Sequence, residues 1–174
     1  MREQVDVAQE NKILIRESAI KNILDGLAYP LYFLDYETFS YVLPAQVGVR
    51  PYQQMVFQYS LHVIEKPGAE AVHHEYLLRS KTESVENLIQ HMKARINPGK
   101  GTILVWNQGF EKGRNKDMAT DYPQHADFLL GMNELVYDLM HIFSKGLYQH
   151  PKFKGSASIK KVLPVLCPEL SYSD

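Results

Sequence analysis

An apolar run that ends in two acids, Leu31-Tyr32-Phe33-Leu34-Asp35-Tyr36-Glu37-Thr38, constrains the fold more than any other stretch of this chain. The residues ahead of Asp35 are aromatic or branched and predict a short buried strand. Side chains alternate across a strand, so Asp35 and Glu37 point the same way while Tyr36 points into the core. Two like charges side by side at the end of a core strand are costly unless a cation lies between them. The plain alternative is a strand that runs into a loop that happens to be acidic.

The chain around this strand predicts a sheet with helices. Before it, Leu14, Ile15, Ala19, Ile20, Ile23 and Leu24 fall on helical spacing, which predicts a helix from Ile13 to Leu27 ended near Gly26. After it comes a loop from Phe39 to Tyr52, punctuated by Pro44, Gly48 and Pro51. Met55 to Ile64 alternates as a half-buried strand, Lys66-Pro67-Gly68-Ala69 is a turn, and Ala71 to Leu78 is a third strand, making a meander. Ser80-Lys81-Thr82-Glu83 has the pattern of a capping box. Behind it Val85, Leu88, Ile89, Met92 and Ile96 form one helical stripe, expected to stop at Asn97-Pro98-Gly99.

Gly101 to Trp106 is a short continuous apolar strand, expected to lie centrally and parallel to the first. A polar helix should follow to about Thr120. His125 to Leu147 has the apolar residues for one long helix; we break it at Leu135-Val136-Tyr137 as a short strand, with Asp138 capping the next helix. Gly155 and Ser156 introduce a last helix, Ile159 to Leu166, stopped by Pro168. Three antiparallel strands, a crossover helix and a parallel strand specify a mixed α/β sheet with helices on both faces, the ribonuclease H-like arrangement.

At 174 residues, with 45% hydrophobic and 22% charged side chains, the chain has the balance of one globular domain, expected over residues 13–174. The polar first twelve residues read as a disordered or expression-derived lead. A formal net charge of −1 excludes a global basic field, so any polyanion must be met by local clusters. The one cysteine, Cys167, excludes an internal disulfide and a cysteine-only zinc site, and is expected to be a small buried hydrophobe. No apolar run has the length of a membrane span and the N-terminus is not signal-like, so the expected location is the cytoplasm.

A second acid stands just beyond the predicted central strand, in Asn107-Gln108-Gly109-Phe110-Glu111. Ligands of open sheets collect outside the carboxyl ends of strands, where the first and fourth strands would be neighbours. Asp35, Glu37 and Glu111 would converge there, and three carboxylates without a nearby cysteine or histidine pair suit Mg²⁺ or Mn²⁺.

The Leu34-Asp35-Tyr36-Glu37-Thr38 stretch resembles the first motif of the DnaQ-like (DEDD) 3′–5′ exonucleases, and Val105-Trp106-Asn107-Gln108-Gly109-Phe110-Glu111 resembles their second, with glutamate for the usual aspartate. Tyr32 to Phe39, together with Gly155 to Pro164, is similar to a bacterial domain family of uncharacterised activity assigned to that superfamily; the likeness spans roughly residues 28–174. It implies a divalent-metal-dependent nuclease acting on a single-stranded nucleic-acid end. Two ions would be held by Asp35, Glu37 and Glu111, and Asn107 would lie beside the nucleic acid.

The third motif, an aspartate on a final helix, is not found. Tyr172-Ser173-Asp174 has the wrong spacing, so a longer parent chain with further domains is expected. Asp138 is either a fourth catalytic carboxylate or, preferably, a helix cap. Leu139 to Pro168 holds no acid but carries Lys145, Lys152, Lys154, Lys160 and Lys161, interleaved with Tyr148 and Phe153. Lys152, Lys154, Lys160 and Lys161 are the candidate phosphate contacts, with bases stacked on the rings; the equal alternative is a solvated surface with its aromatics packed inward. His73 and His74 should face opposite ways and not ligate jointly. The rival to a nuclease is a non-catalytic binding or interaction module; another metal-dependent phosphodiesterase or transferase is a third reading.

Overall fold

The computed structural model describes residues 7, 10–43, 49–80 and 83–170. The chain divides into two compact units, one of residues 28–137 and one of residues 1–27 with 138–174.

The 28–137 unit carries the predicted meander. Strands β2 (Leu31–Phe39), β3 (Met55–Ile64) and β4 (Val72–Leu77) pair antiparallel in sequence order. Helix α2 (Val85–Lys93) leads to β5 (Thr102–Val105), which pairs parallel with β2 as the apolar run predicts. Helices α3 (Gln108–Asp121) and α4 (Ala126–Glu134) follow, and β6 (Val136–Asp138) completes a mixed sheet in the order β4-β3-β2-β5-β6. The short strand expected at Leu135 to Tyr137 is therefore present, joined to β5 by the Ile103 amide donating to the Leu135 carbonyl at 2.9 Å.

The core lies on one face of this sheet. Tyr32, Leu34 and Tyr36 of β2, with Tyr59 and Leu61 of β3, pack against Leu88, Ile89 and Met92 of α2 and Leu129 and Met132 of α4. Gly101 (φ +94°) brings β5 against the start of β2: a Cβ there would lie 2.4 Å from the Pro30 carbonyl oxygen, which accepts the Thr102 amide at 3.0 Å. Only glycine fits this approach.

In the other unit, β1 (Leu14–Ile15) pairs antiparallel with β7 (Tyr148–Gln149). Helix α1 (Glu17–Asp25) begins after β1, and α5 (Met140–Ser144) and α6 (Ile159–Leu166) complete the unit. Leu14 and Ile15 are thus strand, not the first turn of a helix; backbone pairing with a segment far along the chain overrides their helical spacing.

Three further expectations are corrected. Ser84, not Ser80, caps α2, accepting from the Glu86 amide at 3.1 Å. Glu83 instead takes the Tyr76 hydroxyl at 2.5 Å and the Arg79 amide at 2.9 Å. The helix ends at Lys93, although Ile96 beyond it is still buried. Cys167 is half-buried. Among the described residues no helix is long and apolar enough to cross a membrane. Most of the N-terminal lead, Lys81-Thr82 and Tyr172-Ser173-Asp174 lie outside the described residues.

Candidate functional site

Strand alternation carries through to the acids: Leu34 and Tyr36 are buried, whereas Asp35 and Glu37 between and beyond them are exposed. Asp35 stands opposite Ser60 of β3 and Glu37 opposite Gln58. The register of β5 with β2 runs only from Leu31 to Phe33, so it stops short of the acids. A register shift between Glu37 and Thr38 interrupts the pairing with β3, which resumes at Thr38↔Val56 and Phe39↔Met55. Asp35 and Glu37, within β2 and past the last residue paired with β5, therefore project side by side from one face of the strand. Burial of its carboxyl lifts the proton affinity of Asp35 above the usual carboxylate range, partly opposed by a backbone hydrogen bond at Tyr36.

On the other face of β2 the Tyr36 hydroxyl donates to Asn115 Oδ1 at 2.8 Å. Asn115 Nδ2 donates to Asn133 Oδ1 at 2.9 Å, and Asn133 Nδ2 to the Lys112 carbonyl at 3.2 Å. This chain of bonds ties β2, α3 and α4 together through the core. Glu111 is buried on the α3 face that also carries Asn115. Burial foremost, then the charge of Glu111 and the neighbouring Tyr59, holds the Tyr36 phenol well above its ordinary range. Asn107 occupies the N-cap position of α3 in the left-handed region (φ 76°), where asparagine is tolerated better than most residues. Among the described residues no three histidine, cysteine, aspartate or glutamate side chains are grouped to hold a metal ion.

Asp138 begins the other unit. It is 3% exposed, its Oδ1 accepts the Met140 amide at 3.0 Å, and Oδ2 lies 3.8 Å from His141 Nε2. Asp138 thus holds the first amide of α5 from one residue ahead of the N-cap position, which Leu139 occupies without a side-chain cap. Lys145, Lys152, Lys154, Lys160 and Lys161 are all exposed. Phe153 is 4% exposed, packed among Phe143, Tyr148 and His150. The expectation that bases stack on Phe153 is corrected: its ring is consumed by core packing, and Tyr148 is half-buried beside it.

Two features were missed in the sequence. The open face of the sheet carries His62 and His73, paired in register, with rings stacked at 4.3 Å. Ser60 Oγ lies 3.1 Å from His73 Nε2. His73 and His74 do face apart as expected, but the partner of His73 comes from β3. Counting outward from the Lys66–Ala69 turn along the meander would have shown the pair. The second feature is a cavity of about 690 Å³ beyond the end of β2, lined by Phe39, Tyr41, Phe57, Arg79, Glu83 and Tyr122 among others. Its lining comes from five separate stretches, which no local pattern connects.

A family profile described as a domain of unknown function, DUF2779, matches residues 32–158. No curated protein matches the chain, and no solved structure matches it.

Proposed function

The chain belongs to the DUF2779 family, and we propose that it is a divalent-metal-dependent phosphodiesterase of ribonuclease H-like build that acts on nucleic acid, with Asp35 and Glu37 at its centre. The observation that carries this is the pair itself: two exposed acids on one strand face, the first with its carboxyl partly withdrawn from water. A carboxylate whose charge is costly when alone is one that a cation relieves.

The donor set fits one Mg²⁺ or Mn²⁺, which binds through one or two carboxylates and completes its shell with water and phosphate oxygens. It does not fit two ions, because no group of three ligating side chains forms among the described residues. Glu111 is assigned as buried charge behind the pair. A bound ion would polarise a phosphoryl oxygen and lower the pKa of a water. Asp35 and Glu37, fixed by the β2–β3 register, would hold that ion. The aromatic cavity beyond β2 offers Phe39, Tyr41, Phe57 and Tyr122 as a surface on which a base stacks. Arg79, also in its lining, would meet a phosphate.

With one ion, cleavage should be slow. The test is release of mononucleotides from labelled single strands of DNA and RNA in Mn²⁺. Slow release by the native chain and none by Glu37→Gln is expected; equal release by both sinks the reading. The same absence of a three-ligand group also favours a non-catalytic nucleic-acid-binding module, which would bind the strands and release nothing.

A further inference from the structure

We propose that His62 and His73 form a two-imidazole chelate for Zn²⁺ on the open face of the sheet, with Ser60 as the positioning residue that orients the second ring. Ser60 also stands opposite Asp35 across β2 and β3, so the histidines share the open sheet face with the carboxylate pair, but the inference does not rest on the proposed nuclease reading.

Register makes the pair. His62 and His73 are directly opposed across β3 and β4, flanked by Leu61↔His74 and Val63↔Val72. Directly opposed residues hold their Cα atoms roughly 4.5–5.5 Å apart, close enough for two imidazoles to share one ion. Both residues are exposed, and their rings lie 19° from parallel. Stacked rings aim their in-plane lone pairs side by side, so both imidazoles would turn out of the stack for a nitrogen of each to meet one ion.

The hydrogen bond at His73 supplies a second, independent feature. A metal-bound imidazole donates its other ring N–H to an acceptor, which fixes the tautomer and the ring plane. With Nε2–H donating to Ser60 Oγ at 3.1 Å, Nδ1 keeps its lone pair for the ion. Imidazole donors select the borderline metals over Mg²⁺. Two protein donors leave the remaining positions to water, so the ion is exchangeable and open to a further ligand. Glu75, exposed two residues along β4, and Asp35, opposite Ser60 on β2, are the carboxylates that register brings to this face beside it.

The test is calorimetric titration of Zn²⁺ into the 174-residue chain in excess Mg²⁺, which keeps hard oxygen donors occupied. One Zn²⁺ per chain is expected. His62→Ala and His73→Ala should each weaken binding by about tenfold or more, about 1.4 kcal/mol, while His74→Ala leaves it unchanged. In ¹⁵N imidazole spectra, Zn²⁺ should shift His62 and His73 alone. Ser60→Ala should change the His73 tautomer ratio, and Ser60→Thr should restore it. Because both histidines are exposed, circular dichroism should show each variant folded. Absence of Zn²⁺ binding by the native chain, native affinity retained by either histidine variant, or shifts confined to other histidines overturns the site.

Discussion

Burial raises the proton affinity of the Asp35 carboxyl, so its ionised form at neutral pH is held against a desolvation cost that the unfolded chain does not bear. A carboxyl whose folded pKa is raised contributes stability below its unfolded pKa, and that contribution is lost as pH rises through the folded value. In metal-free buffer at pH 7, Asp35→Asn should therefore raise the melting temperature, and the gain should vanish near pH 3. A lower melting temperature for the variant at pH 7 would mean that Asp35 serves the fold. Tyr36 shows the opposite balance. Its hydroxyl is spent on Asn115 inside the core, so Tyr36→Phe should cost about 1–3 kcal/mol in urea unfolding by leaving Asn115 without that donor. The opposed facing of Asp35 and Tyr36 was legible from strand alternation alone. The polar network was not, because Asn115 and Asn133 carry no local pattern that says they meet.

Among the elements, those with strong local periodicity were read correctly: β3 from Met55 to Ile64, the buried stripe of α2, and the all-apolar β5. Errors fell where a distant partner decides. Leu14 and Ile15 pair with Tyr148 and Gln149, and Glu83 is drawn from its expected capping role by Tyr76 on β4. The cap of α2 can be tested directly. Ser84→Ala should cost about 1 kcal/mol by removing the acceptor of the Glu86 amide, whereas Ser80→Ala should cost a small fraction of that. Equal losses would restore the capping box. Gly101→Ala should be worse than either, since the added methyl meets the Pro30 carbonyl and the backbone is in the left-handed region.

At the scale of the whole molecule, the family match over residues 32–158 takes in nearly all of the 28–137 unit and part of the other. With a net charge of −1, any nucleic-acid affinity must come from local cations such as the exposed Lys152, Lys154, Lys160 and Lys161. If these lysines contact phosphates, binding of a single strand should weaken steeply with salt. Lys160→Glu with Lys161→Glu should then lower the slope of log K against log salt by about 1.4; an unchanged slope would leave those lysines as solvated surface. Facing of the acids was legible in the sequence because one strand carries both, while their relation to Glu111 and Asp138 depends on packing between elements. In the proposed site Asp35 and Glu37 together hold one divalent ion. Electron paramagnetic resonance of Mn²⁺ titrated into the chain tests it most directly. One bound Mn²⁺ is predicted, weakened about tenfold or more by Asp35→Asn and by Glu37→Gln and little changed by Glu111→Gln. Mn²⁺ that stays free beside the native chain, or binds the Asp35→Asn variant equally well, would contradict it.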